Sequence, residues 1–192
     1  MLVHLCCAPD AVYVMKILMT EFQVSGYFYN PNIHPKKEYD LRRDETRKIA
    51  KILGFDLIEG PYDKDQWLKL TEKFRTEPEK GRRCDICYAI RLERTAANAA
   101  VQNFEFFTTV MSLSPWKKSD TLNRIGRMFG KRFGLEYYPA NFKKKMGFQK
   151  SILLSRELGL YRQNYCGCET SEKEMQTRKK CKQIDTPDNE RK

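Results

Sequence analysis

Cys6-Cys7, Cys84-Asp-Ile-Cys87 and Cys166-Gly-Cys168 stand near the start, the middle and the end of this 192-residue chain. Six of its seven cysteines thus fall in three short pairs, and any fold for the sequence has to explain segments so remote carrying the same feature. A metal or redox centre, to which one domain brings all three, accounts for the pairing better than six incidental core thiols do. The opening Met1-Leu-Val-His lacks a basic n-region and reads as a core strand, not a signal peptide. With an odd cysteine count as well, thiolate chemistry in a reducing cytosol is expected instead of a disulfide scaffold.

Length and composition, at 41% hydrophobic and 32% charged, suit one domain with a full core. No apolar run approaches the roughly 20 residues of a membrane span, so no transmembrane helix is expected. The net charge of +11 is not spread evenly: residues 109–168 hold twelve lysines and arginines against three acids, giving +9. The same stretch carries Trp116, Tyr137, Tyr138, Phe142 and Tyr165. Basic side chains attract phosphate and aromatic rings stack on bases, so nucleic acid is the favoured partner over a merely solubilising face.

Hydrophobic periodicity predicts a strand over Leu2–Leu5, a helix over 11–22, a strand over Val24–Tyr29, a helix over 36–53 closed by Gly54, and a strand over Phe55–Glu59. This β-α-β-α-β order is that of a Rossmann-like, doubly wound and mainly parallel α/β sheet. Beyond it come a helix over Asp65–Phe74, a long one reaching Asn103 with Cys84 and Cys87 at its start, and a strand over Phe104–Met111. A helix over Thr121–Phe133, a strand over Leu135–Tyr138 and a helix over Lys150–Leu158 follow. Residues 1–170 are expected as a single catalytic domain and 171–192 as a polar helix or tail, with Cys181 incidental.

In an open parallel sheet, ligands bind beyond the carboxyl ends of strands, where Cys6 and Cys7 lie. Adjacent residues of a strand face opposite ways, so both reach one metal only if the chain has left strand geometry, as Pro9 allows. With Cys84 and Cys87 they make four sulfurs, enough for tetrahedral zinc or an iron–sulfur cluster. Spacing alone does not choose, but ligands so dispersed favour a functional iron–sulfur site over a structural zinc knuckle. At a helix start beside Arg82 and Arg83, the Cys84 and Cys87 thiols are expected to have lowered pKa values. Cys166-Gly-Cys168 could form a labile disulfide or add ligands. Asp10 reads either as an oxygen ligand of a second metal or, more safely, as the N-cap of the helix after it. Neither His4, in a buried strand, nor His34, in a Pro-flanked loop, is a favoured ligand.

His4-Leu-Cys-Cys-Ala-Pro-Asp10, Tyr29-Asn-Pro-Asn-Ile33, Arg83-Cys-Asp-Ile-Cys87, Glu93-Arg-Thr-Ala96 and Tyr161-Arg-Gln-Asn-Tyr-Cys-Gly-Cys168 together resemble the cobalamin-independent epoxyqueuosine reductase family. The resemblance covers about residues 1–170, and the motifs are specific in combination. It implies an enzyme that reduces epoxyqueuosine at the tRNA wobble position to queuosine, drawing on an external electron donor. It also implies a fold similar to the adenine nucleotide alpha-hydrolase group, and a cytoplasmic location. Carried over by position, Cys6, Cys7, Cys84 and Cys87 are implied to hold a 4Fe-4S cluster, and Cys166 and Cys168 to be a redox-active pair. An additional iron is implied beside the cluster, with Asp10 as its candidate ligand. Many relatives carry cysteine where this chain has Asp10, a departure that touches cluster ligation. Asp10 and Tyr165 are the candidate proton donors. Lys143, Lys144, Lys145, Lys117 and Lys118 are the candidate phosphate contacts. No glycine-rich phosphate loop follows strand one, so ATP chemistry is not expected. The rival readings are an iron–sulfur tRNA-thiolating enzyme of the same broad fold and a non-catalytic, zinc-stabilised RNA-binding module.

Overall fold

Strand β1 (Leu2–His4) is buried throughout and pairs in parallel on both sides, so it forms the middle of the sheet. In the computed structural model, which describes the backbone through Ile184 and side chains through Arg178, its neighbours are β2 (Ser25–Phe28) and β4 (Phe106–Thr109). Leu2 lies in register with Ser25 and with Phe107. Strands β3 (Asp56–Glu59) and β5 (Glu136–Tyr137) complete the order β3-β2-β1-β4-β5, with every pairing parallel. The doubly wound α/β fold anticipated from the alternation of elements is present.

Side chains of a strand alternate between faces, and β1 divides accordingly. Val3 joins the core formed with α1 (Ala8–Leu18), α2 (Lys36–Leu53) and α6 (Gly147–Glu157). Leu2 joins the core formed with α4 (Arg82–Val101) and α5 (Ser119–Phe133). Helix α3 (Lys64–Thr71) packs on α4, and α7 (Glu169–Ile184) ends the described chain. Cys181 falls in α7, where its side chain is outside the described residues. Among the described residues, no helix is long and apolar enough to cross a membrane.

Strand order reverses between β1 and β4, and in such sheets the crevice at that point receives the ligand. Two departures from the sequence-based boundaries shape that crevice. Helix α1 begins at Ala8, not residue 11, because Pro9 occupies the first turn, where its missing N–H costs nothing and its fixed φ suits a helix. Strand β4 stops at Thr109, and the apolar Val110–Leu113 that continues it forms a buried 3₁₀ turn instead. Both changes bring loop residues to the switch point. Glycine closes α2 as expected: Gly54 takes φ 74°, a left-handed conformation that costs no Cβ clash.

Candidate metal centre and cleft

The chain leaves strand geometry after His4, and Cys7 becomes the N-cap of α1 with extended backbone. That turn lets two adjacent cysteines point the same way, with their sulfurs 3.9 Å apart. Asp10, in the first turn of α1, sets Oδ2 4.0 Å from Cys6 Sγ. One ligand atom from each of Cys6, Cys7 and Asp10 lies within 4.8 Å of the other two. The N-cap is therefore Cys7 and not Asp10, whose carboxyl belongs to this trio. Interaction with Cys7, followed by burial, pushes the Cys6 thiol well above its ordinary pKa, and burial raises Asp10 against the pull of Arg162, Lys117 and Arg42. A cation placed among these three atoms would reverse both tendencies.

Cys84 and Cys87 lie in the first two turns of α4, and they share a small cavity with Cys166 and Cys168. Its void is about 10 Å³, so the lining side chains would have to move apart around anything larger than a single atom. All six paired cysteines among the described residues are free thiols. The lowered pKa values expected for Cys84 and Cys87 are not found. Burial pushes Cys84 up to about 11 and raises Cys87 too, outweighing the helix terminus. Arg82 is exposed, and Arg83 Nη1 is spent on the carbonyls of Arg75 and Glu77. Cys166 goes the other way. Burial alone would raise it, but Lys117 and Arg91 outweigh that and hold it low.

Lys117 Nζ donates to Cys166 Sγ at 2.6 Å and lies 3.8 Å from Glu79. The side chain is 8% exposed, so Lys117 is a buried counter-ion and not the surface phosphate contact expected of it. Lys143 is also partly withdrawn: its ammonium donates to the Lys117 carbonyl at 2.8 Å and holds the 114–117 loop in place. Lys118, Lys144 and Lys145 are exposed.

A larger cavity of about 240 Å³ opens beside the thiols. Cys6, Asp10 and Cys166 face it, with Trp116, Phe148 and Tyr165 supplying aromatic wall. Arg42, Arg162 and Arg178 add positive charge, and α7 contributes Ser171 and Met175. The Tyr165 hydroxyl is not free to act as an acid, because it donates to the His34 carbonyl at 2.7 Å. His4 is fully used in the sheet, bonded to Thr109 Oγ1 at 3.0 Å and the Tyr29 carbonyl at 3.1 Å. His34 holds the Cys166–Cys168 loop through its backbone, its N–H donating to the Gly167 carbonyl at 2.7 Å.

The residues that sequence reasoning overlooked are Trp67, Tyr88, Arg91 and Arg42. Tyr88 and Arg91 did carry a signal. With Cys84 and Cys87 they follow the i, i+3, i+4, i+7 spacing of one helix face. Arg91 is 2% exposed, bonds the Cys87 carbonyl through Nε at 3.1 Å, and leaves Nη2 without a partner. Arg91 and Lys117 line both the thiol cavity and the cleft, as does Cys166. Sulfur donors opposed by two buried cations form a donor set that fits an anionic iron–thiolate centre.

Residues 1–174 match the family model described as "Epoxyqueuosine reductase QueH". A protein named epoxyqueuosine reductase QueH from Haemophilus influenzae is 37% identical over 170 residues, covering 88% of this chain and 69% of its own length. One of the same name from Thermotoga maritima is 36% identical, covering 87% of each chain. In architecture the chain is similar to the U34-tRNA thiolase NcsA from Methanococcus maripaludis, solved with its [4Fe-4S] cluster. The TM-score is 0.56 and the identity 14%, over 97% of this chain and 67% of that one. A predicted subunit of a tRNA methyltransferase from Methanocaldococcus jannaschii aligns with a TM-score of 0.55 at 18% identity, over 82% of this chain and 75% of that one. At such identities these two structures speak for the fold alone.

Proposed function

The chain belongs to the epoxyqueuosine reductase QueH family, and from that premise we propose how its residues carry out the reaction. It is an oxidoreductase that converts epoxyqueuosine in tRNA to queuosine. The conversion breaks both C–O bonds of the epoxide, forms a carbon–carbon double bond and releases the oxygen as water. It consumes two protons, and two electrons from an external donor.

Cys84, Cys87, Cys166 and Cys168 are assigned as the ligands of a 4Fe-4S cluster, and Cys6, Cys7 and Asp10 as those of a separate iron. Such a centre, when bound, supplies electrons together with Lewis acidity for the epoxide oxygen. One observation carries the reading. Five of the six paired cysteines line two cavities that share Arg91, Lys117 and Cys166, and the sixth, Cys7, is 3.9 Å from Cys6. On this reading Cys166 and Cys168 are ligands, where the resemblance implies a redox-active pair. The set implied by the resemblance, Cys6, Cys7, Cys84 and Cys87, is a second reading, favoured by the packing of Cys6 on the core that contains Cys84.

The cleft of about 240 Å³ suits one nucleobase, with Trp116, Phe148 and Tyr165 available for stacking. Lys117 is the cation at its floor. Its pKa is raised by Cys166 against burial, so it enters the reaction charged and can donate a proton to an oxygen that becomes strongly basic. Asp10, the other candidate proton donor, is kept as a ligand. The anticodon arm is seated by Lys118, Lys144 and Lys145, which remain free for phosphate.

The test is to purify the chain without oxygen and count iron, sulfide and zinc in wild type, Cys6→Ser, Cys84→Ser and Cys168→Ser. Wild type should carry about four irons with matching sulfide, or slightly more iron. Loss of sulfide in Cys84→Ser and Cys168→Ser, with only the surplus iron lost in Cys6→Ser, supports the assignment. An intact cluster in Cys168→Ser with none in Cys6→Ser favours the set implied by the resemblance, together with the redox pair. A colourless zinc protein, still iron-free after reconstitution, removes the iron–sulfur mechanism in favour of an RNA-binding module.

A further inference from the structure

Buried polar atoms without a partner are few in native proteins, and each calls for an explanation. Eleven buried side-chain nitrogen or oxygen atoms among the described residues have none. Five of them belong to the wall of the thiol cavity: Asn32 Oδ1, Trp67 Nε1, Arg83 Nη2, Tyr88 Oη and Arg91 Nη2. Only ten residues line that cavity, four being the cysteines, so Lys117 alone among the other six has no orphaned atom. Four of the five orphans are donors. Unspent donors ringed around four thiols give a site whose polarity matches sulfur anions.

We propose that the Tyr88 hydroxyl and the Trp67 indole N–H donate hydrogen bonds to sulfur of the metal centre at Cys84 and Cys87, and thereby raise its reduction potential. The inference rests on the iron–sulfur reading above, and it uses the two cysteines common to both ligand sets. Tyr88 follows Cys87 on α4 and packs in the same core as Cys84. Its hydroxyl is buried in the cavity wall without a partner, so its capacity to donate is unspent. Trp67 packs against Cys87 and Cys168. Its N–H is buried without a partner and lines the same cavity as both cysteines. Reduction adds negative charge to a cluster and its sulfurs. A donor already aimed at sulfur binds the reduced state more strongly than the oxidised one, and the potential rises.

The test is an anaerobic redox titration with dithionite, followed by electron paramagnetic resonance, on wild type, Tyr88→Phe and Trp67→Phe. Each variant keeps an aromatic ring in place and deletes the donor. Iron and sulfide contents should match wild type, while the equilibrium constant for one-electron reduction falls by three- to tenfold per donor, tenfold being about 59 mV. A constant within twofold of wild type in both variants, or a rise in either, overturns the proposal while leaving the cluster reading intact. A wild-type protein that carries no cluster overturns both. If a variant fails to take up iron, wild type grown with indole-¹⁵N tryptophan decides: the reduced cluster should show a coupled nitrogen, and its absence ends the role of Trp67.

Discussion

Arg42 belongs to α2, yet its guanidinium reaches the loop that presents Cys166 and Cys168. Nη1 donates to the Cys166 carbonyl at 2.9 Å, Nη2 to the Tyr165 carbonyl at 3.3 Å, and Nε to Glu38 at 2.7 Å. The side chain is 2% exposed, so water does not substitute for it. Arg42→Met keeps most of the volume and removes every donor. Glu38 retains the Tyr161 hydroxyl at 3.0 Å, which confines the damage to the loop. A hydrogen bond from a charged group is worth about 1.5–3 kcal/mol, and the longer bond belongs at the low end. Two lost bonds therefore favour local opening by about 3 kcal/mol, roughly a hundredfold. The loop keeps His34 N–H on Gly167 and Tyr165 on His34, so it opens without detaching. Alkylation of metal-free, reduced protein reads this directly, because labelling of a buried thiol follows the open population when reclosing is fast. Cys168 should react about a hundredfold faster in the variant, while Cys84, held in α4, changes less than about threefold. Equal acceleration of both thiols would mean global destabilisation, and an unchanged Cys168 would mean that Arg42 does not hold the loop.

His4 is buried in the neutral form with its pKa lowered to about 3, chiefly by burial. Unfolded histidine titrates near 6.5, so the stabilisation is present above that pH and is lost as pH falls toward 3. It amounts to about 2 kcal/mol between pH 7 and 5. Urea unfolding at the two pH values should show this loss in wild type but not in His4→Asn, and parallel behaviour would refute it. Ala at position 147 would set Cβ 1.9 Å from the Phe142 carbonyl oxygen, a backbone atom that cannot step aside. Gly147→Ala should cost about 3 kcal/mol or more by urea midpoint, and a cost under about 1 kcal/mol would contradict the packing. Lys144→Gln with Lys145→Gln should flatten the salt dependence of tRNA binding by about 1.4–1.8 logarithmic units. Lys143→Gln should leave that slope unchanged while lowering thermal stability, since its ammonium is spent on carbonyls.

The sheet was legible because β1, β2, β3 and β5 are short runs closed within a few residues by Cys, Pro or Gly, and the helices between them carry a 3.6-residue period. Cysteine pairing likewise anticipated that three remote segments meet, and the spacing of Cys84 and Cys87 placed them on one helix face. What the sequence concealed depends on distance and burial. Pro9 reads as a break, yet it sits in the first turn of α1 and lets Cys7 become the cap, which turns Asp10 toward Cys6. The pKa values of Cys84 and Cys87 followed burial, a tertiary property, over the helix terminus, a local one. Arg42 and Trp67 act through loops more than a hundred residues, or a full helix, away from them. No local pattern marks such partners.

The basic stretch between residues 109 and 168 shows why charge counts misplace function. Its +9 excess reads as one phosphate-binding surface, but the fold divides it. Lys117 faces the thiols, Lys143 is tied to the 114–117 loop, and Arg162 lines the cleft with Nη1 bonded to Ser155 at 3.3 Å. These cations offset charge inside the protein, so they release few counterions when RNA binds. Only exposed residues such as Lys118, Lys144 and Lys145 exchange salt for phosphate. With three of the twelve cations withdrawn, the salt slope of tRNA binding should fall short of the twelve-cation value by about 2–3 logarithmic units. A slope near ten that falls by about one unit in Lys117→Gln would mean that the inward cations turn outward when RNA arrives, and that Lys117 leaves Cys166 to do so.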